Sequence, residues 1–229
     1  MLLRVRDAWR YPVVGLIWLL IVTLLPLVTL ALLPLYVLWF RPWHLRWGAT
    51  DEEVARSMPG DEVVQDATFN ATRAVSIQAR PEEIWPWLVQ IGCMRAGWYT
   101  YDWIDNLGYP SADRIVPELQ GLKVGDVVPI SPDGKQGLRV KALEPPRWMV
   151  WWDPNGRTTW AWGLYPTSGG PTRLVSRVRI RYSWRSPWIL FHLLLDVGDI
   201  VMMRKCLLTL KQRAEGLALR SGQRKGQSQ

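Results

Sequence analysis

From Tyr11 to Phe40 the chain carries no charged side chain across 30 consecutive positions. A membrane-spanning helix needs about 20 apolar residues, so Val13–Leu33 alone suffices for one span. A secretory signal has an apolar region of only about 7–15 residues, which makes an uncleaved anchor the expectation. Two ordinary spans would need a longer stretch. Trp9 and Tyr11 stand at one end, and Trp39, Trp43 and Trp47 at the other. Rings with a polar edge favour the headgroup layer. Pro26 falls mid-run and should kink the helix, since it removes a donor and crowds the preceding turn; a re-entrant hairpin bent there is the rival arrangement. Arg4, Arg6 and Arg10 balance Arg41, Arg46 and Arg56 across the run, so the positive-inside rule gives no orientation.

Charge follows the same division. The 229 residues hold 28 Lys+Arg and 20 Asp+Glu, a formal net charge of +8. Ten of the cations flank the apolar run or follow Leu210, and residues 47–210 hold 18 of each sign. A neutral body with basic ends suits an anionic membrane surface better than a nucleic acid, which would draw a basic stripe on the body itself. No nucleic-acid partner is expected. The 48% hydrophobic content and 16 Trp exclude a disordered chain. Two cysteines, Cys93 and Cys206, and two histidines, His44 and His192, exclude a disulfide framework and a Cys/His-rich metal site. Neither a metal nor a cofactor is expected.

The body reads as strand, two helices, several strands and a long helix. Thr50 before Asp51-Glu52-Glu53 forms a capping box and predicts a short helix over 51–57. Thr68–Ala79 alternates as a strand. Pro81-Glu82-Glu83 is a helix start, with Ile84, Trp87, Leu88 and Ile91 on one face. A second short helix falls within Gly97–Asn106. Turn signals at Pro132-Asp133-Gly134, Pro145-Pro146, Pro154-Asn155-Gly156 and Ser168-Gly169-Gly170 separate antiparallel strands. These are Val127–Ile130, Leu138–Leu143, Trp148–Trp152, Thr158–Tyr165 and Thr172–Trp184. The last alternates Leu174, Val178 and Ile180 against Arg173, Arg177, Arg179 and Arg181, a row expected on the solvated outer face of a sheet. Ile200, Met203, Leu207, Leu210 and Ala214 step at three and four along a helix that packs on the sheet. Residues 187–195 are apolar, but Asp196 and Asp199 interrupt too early for a second span. The expected organisation is a basic flank (1–10), an anchor (11–40), a linker (41–67), a globular domain (68–216) and a basic disordered tail (217–229). The fold class is α+β: an antiparallel sheet packed on a long C-terminal helix, with an apolar space between them.

The segments Ala79-Arg80-Pro81-Glu82-Glu83-Ile84-Trp85-Pro86-Trp87-Leu88, Tyr101-Asp102-Trp103-Ile104, Ser111-Ala112-Asp113-Arg114-Ile115-Val116-Pro117-Glu118 and Val124-Gly125-Asp126 resemble the SRPBCC superfamily of START-like, helix-grip proteins. That superfamily includes polyketide cyclases and lipid-transfer domains. Together with Arg41-Pro42-Trp43 and Trp47-Gly48-Ala49-Thr50, the segments resemble a membrane-linked bacterial subgroup. The resemblance covers residues 68–216. It implies a curved sheet gripping the C-terminal helix around a cavity for a hydrophobic small molecule or lipid, on the cytoplasmic side of the membrane. It also leaves open a cyclase- or dehydratase-like enzyme, or an interaction module with a filled cavity.

No phosphate loop, nucleophile elbow or zinc-protease motif occurs. Candidate acid/base residues are Asp102, with Asp105 three positions on, and Asp113 and His192. Each has a plainer role: Asp102 bonding a backbone group, Asp113-Arg114 a structural ion pair, His192 a satisfied core histidine. Ligand-contacting candidates are Trp98, Tyr101, Trp103, Trp152, Trp160, Trp162 and Met203. Bulky aromatics suit an apolar or planar ligand, or else fill the space outright. Cys93 and Cys206 are expected as buried thiols. The sequence sets no oligomeric state.

Overall fold

The computed structural model describes residues 10–183, 185 and 189–227. The flank through Trp9 lies outside them, as does Trp184, the expected end of the last strand. The chain divides after Trp43 into two compact units.

The first unit is built on α1 (Arg10–Leu35), followed by a wider π-helical turn over Tyr36–Phe40. Pro26 sits inside α1 without ending it. Val14, Trp18, Leu19, Leu20, Val22, Leu24 and Val28 are all exposed. At about 100° per residue these positions cover the whole circumference, so α1 has no polar face. Counted over the residues whose side chains are described, no helix is long and apolar enough to cross a membrane. The backbone of α1 nevertheless runs unbroken for 26 residues. A further short helix, α2 (Arg41–Leu45), crosses the division between the units.

The second unit is α+β. Its six strands are β1 (Phe69–Ile77), β2 (Val127–Pro129), β3 (Gly137–Glu144), β4 (Trp148–Trp152), β5 (Thr158–Pro166) and β6 (Thr172–Ile180). They form one antiparallel sheet in the order β1-β6-β5-β4-β3-β2. The helices are α3 (Asp51–Ala55), α4 (Pro81–Val89), α5 (Asp102–Asp105) and α6 (Ile189–Gln227). This is the arrangement a helix grip requires. The last strand stops at Ile180, short of the expected Trp184. The C-terminal segment expected as a disordered tail continues α6 to Gln227.

One face of the sheet meets α6. Met203, Leu207, Leu210 and Ala214 share a core with Ile77, Met149, Trp151, Trp162 and Leu174, and full burial of each leucine contributes roughly 1.5–3 kcal/mol. Polar contacts fix the register of the helix. Lys211 Nζ donates to Ser76 O at 2.7 Å, and the Gln78 N–H donates to Glu215 at 2.8 Å.

The other face is also covered, which overturns the expectation for the arginine row. Residues 48–66 lie across it as a strap. The Ala74 N–H donates to Trp47 O at 3.2 Å, and Gly48 approaches so closely that a Cβ would stand 2.2 Å from Ala74 O. Met58 packs with Ala74, Val150, Ala161 and Val175. Arg173 donates to both oxygens of Glu53 at 2.7 Å and to Gly48 O at 2.8 Å. Buried Arg177 donates to Glu53 O, Val54 O, Arg56 O, Thr72 Oγ1 and Asp61. Arg179 donates to Val64 O and Gln65 O at 2.9 Å. Only Arg181 of the row is exposed. A guanidinium carries five N–H donors, and a strap with many free carbonyls satisfies them away from water.

Candidate functional site

Four tryptophans meet beneath the central strands. Register pairs Trp151 of β4 with Trp160 of β5, and Met149 with Trp162, so these side chains share the α6 face. Trp98 follows the Cys93–Ala96 turn, which the Gly92–Gly97 bridge closes. Gly97 has φ +78°, and a Cβ there would lie 2.2 Å from Ser111 Oγ. Tyr99 follows at φ +61°, a left-handed conformation uncommon for a bulky residue. Three hydrogen bonds hold it: its N–H to Ser111 Oγ, its hydroxyl to Trp87 O, and Gln90 Nε2 to its hydroxyl. The Trp98 ring stacks on Trp160 at 5.6 Å and Trp160 on Trp162 at 5.1 Å, while Trp151 presents its edge to all three. Trp160 Nε1 donates to Ser176 Oγ at 2.8 Å, fixing its ring. Trp151 and Trp162 are fully buried, so the indoles fill most of the grip.

A cavity of about 220 Å³ remains at the Trp98–Trp160 end. Met202, Met203 and Cys206 of α6 form one wall, Ile130 another, and Thr100, Asp105 and Asp199 supply the polar atoms. A dry cavity of about 150 Å³ takes a benzene-sized guest, and typical ligand pockets run to roughly 300–1,000 Å³. This one suits a guest of one or two rings.

The two carboxyls differ. Asp199 is ion-paired with Arg73 of β1, a buried residue that also donates to His44 O at 2.8 Å. Asp105 has one oxygen on the Thr100 hydroxyl, while its buried Oδ1 has no partner among the described residues. Burial pushes the Asp105 carboxyl above its ordinary range; the Thr100 bond opposes this, and the nearby Asp102 charge adds to it. Burial, with Asp105 beside them, also raises the Cys93 and Cys206 thiols. These are inert cysteines, since reactivity belongs to the thiolate.

Of the ligand-contacting candidates, Trp98, Trp160 and Met203 line the cavity, and Trp162 stacks behind Trp160. Tyr101 and Trp103 do not reach it: they are exposed, Trp103 at 76%. Trp152 pairs with Thr159, on the strap face of the sheet, where Lys141 Nζ lies 4.6 Å from its ring. Asp102 is structural, accepting from the Ser111 N–H at 3.0 Å and from the Ser111 hydroxyl. Asp113 is exposed, along a separate groove. His192 stacks on Tyr182 at 4.7 Å beside a cavity of about 80 Å³. Trp151 and Asp199 were not anticipated. Trp148–Trp152 carries aromatics on both alternating faces, so alternation alone does not tell which enters the core. No three potential metal ligands cluster among the described residues.

No protein-family model matches the chain, and no curated protein sequence does. Solved structures of similar arrangement include a polyketide-cyclase-like protein from Corynebacterium glutamicum, at 16% identity and TM-score 0.41, covering 62% of this chain and 88% of that one. A protein from Mesorhizobium loti has 21% identity and TM-score 0.39 over 63% and 95%. The Aha1 dimer from Colwellia psychrerythraea has 19% identity and TM-score 0.37 over 64% and 96%. At these values the likeness assigns neither an activity nor a ligand.

Proposed function

We propose that the chain is a membrane-anchored, helix-grip protein that binds a small hydrophobic, planar molecule bearing a hydrogen-bond donor. The observation that carries this reading is the cavity between Trp98, Trp160 and α6, with Asp105 among its lining residues. A flat guest gains about 0.5–1.5 kcal/mol from aromatic geometry beyond its buried area. A donor placed on the Asp105 carboxylate adds roughly 1.5–3 kcal/mol. The volume excludes a two-chain lipid from lying wholly inside. Isothermal titration of the full chain in micelles with 2-naphthol and 2-methoxynaphthalene tests this. The naphthol should bind about tenfold more tightly, a difference of 1.4 kcal/mol, and Asp105→Ala should erase the preference. Binding of neither compound, or a preference surviving in the variant, would overturn it.

The anchor rests on α1. Its 26 residues extend about 39 Å, with apolar side chains on every side and none charged from Tyr11 onward. A helix hydrophobic all round belongs in a large core or a membrane. The full chain should stay in the membrane pellet through alkaline carbonate extraction; its release would remove this part of the reading. The domain is assigned to the cytoplasmic side, where the proteins it resembles commonly reside.

A second reading, a cyclase- or dehydratase-like enzyme, is favoured by one observation. A carboxyl whose pKa is raised by burial, set against an apolar wall, suits general acid/base work. The residue in that role is Asp105, rather than Asp102, Asp113 or His192. Turnover of a bound polyketone that survives Asp105→Asn would exclude it.

A further inference from the structure

The C-terminal half of α6 carries a second site. Lys205, Thr209, Gln212, Arg213, Gly216 and Arg220 recur at helical spacing, forming one stripe. The stripe faces Arg114, Ile115 and Trp87 across a groove of about 520 Å³. Four cations line this groove against one carboxylate, Asp113. Among the described residues, no ion pair engages Arg114, Lys205, Arg213 or Arg220. Elsewhere on the surface, Arg46, Arg56, Arg80 and Arg147 each hold a carboxylate. Asp113, with Asp102 near Arg213, leaves the four cations in excess; like charges in excess repel one another, and an anion between them relieves that cost.

The groove is also shaped. Arg213 is fixed with its guanidinium 4.3 Å from the Tyr99 ring and 5.8 Å from Trp87, and it donates to Ser111 O at 3.2 Å. Gly216 lies inside a long helix, where glycine costs about 0.5–1 kcal/mol relative to alanine. Beyond its chain neighbours and its own helix backbone, no protein atom lies within 4 Å of where its Cβ would be. Packing within the protein therefore does not require a glycine here, and its absent side chain leaves the groove wall open.

We infer that this groove binds a phosphate-bearing organic molecule, its phosphate among Arg114, Lys205, Arg213 and Arg220 and its apolar portion against Trp87 and Ile115. Arginine forks match phosphate oxygens two at a time, and lysine adds a point charge. Free phosphoesters and phospholipid headgroups share this chemistry. The site is independent of the tryptophan-lined cavity and of the anchor.

The test is titration of the full chain in maltoside micelles with glycerol 3-phosphate, and separately with micellar phosphatidic acid and phosphatidylcholine. Saturable binding of glycerol 3-phosphate supports the site and a soluble ligand. Binding of phosphatidic acid alone supports the site and a headgroup. In either case Lys205→Ala with Arg220→Ala should weaken affinity at least tenfold, and raising salt should weaken it further. Gly216→Leu blocks the groove without changing charge. It should abolish binding while leaving the thermal midpoint at or above that of the wild type, since leucine favours the helix. Absence of binding, binding unchanged in both variants, or phosphatidylcholine binding as tight as phosphatidic acid would overturn the inference.

Discussion

The two faces of the sheet are both buried, by opposite means. Beneath it, Trp151, Trp160 and Trp162 pack against α6 with few polar contacts. Above it, Arg173, Arg177 and Arg179 of the same β6 anchor a strap through charge-assisted hydrogen bonds to carbonyls and carboxylates. Removing a charge from water costs several kcal/mol unless every donor finds a partner. Arg177 meets that condition with five bonds to Thr72 and the strap. The strap face thus depends on satisfied geometry and the tryptophan face on filled volume, and they should fail differently.

The largest effect is expected where a satisfied charge is removed. Arg177→Met keeps the volume but leaves the carbonyls of Glu53, Val54 and Arg56 without that donor. Chemical denaturation of the full chain in micelles should show a loss of about 3–5 kcal/mol, with binding in the tryptophan-lined cavity unchanged. Trp151→Ala breaks the other face. Its cost should fall near the low end of the large-to-small range, about 3 kcal/mol, because three other indoles can lean into the space. This variant should also admit larger planar guests. If Arg177→Met altered guest affinity and Trp151→Ala did not, the two faces would not be separable.

That division also marks what the sequence could tell. Each strand was legible because turn residues bracket it, and β4 falls on Trp148–Trp152 as read. The buried stripe of α6 was legible because Met203, Leu207, Leu210 and Ala214 repeat at helical spacing. The strap was not. An arginine row alternating with Leu174, Val178 and Ile180 reads the same whether water or backbone carbonyls satisfy it, and only tertiary contact decides. The site was half legible for a related reason. Trp160 and Trp162 sit on the parity that enters the core, whereas Trp152 shares its strand with Trp151 on the opposite parity. Asp105 stood out only as one of two spaced carboxylates. Its isolation follows from the turn before Trp98 and from α6, which local spacing does not encode.

A middle-sized effect should come from loosening the strap at its first turn. Thr50 Oγ1 accepts from the Glu53 N–H at 3.1 Å, and Glu53 accepts from the Thr50 N–H at 2.9 Å. The same carboxylate receives Arg173, so the capping box also aims a cross-strap ion pair. Thr50→Ala should cost about 1 kcal/mol. Hydrogen exchange should quicken in α3 while the protection of β4 and β5 stays as in the wild type. Quickening in β5 instead would show that the faces share one cooperative unit.

The smallest effect is the most diagnostic, because its sign differs between faces. Burial alone would raise the Glu53 carboxyl, but the bonds from Arg173 and Thr50 outweigh it and hold its pKa below the ordinary value. Its contribution to stability is present above the unfolded value of about 4.3 and is lost as pH falls through the folded one. Asp105 runs the other way. Burial raises its pKa, so its contribution is fully present below the unfolded value of about 3.9 and is lost as pH rises through the folded value. Glu53→Gln should therefore lie below the wild type at neutral pH and converge with it in acid. Asp105→Asn should match the wild type in acid and rise above it toward neutrality. Denaturation midpoints from about pH 3 to about pH 7 separate the two. If both variants diverged from the wild type in the same direction, Asp105 would be held by compensating partners like those of the strap face, and the cavity would have no free acceptor to offer a ligand.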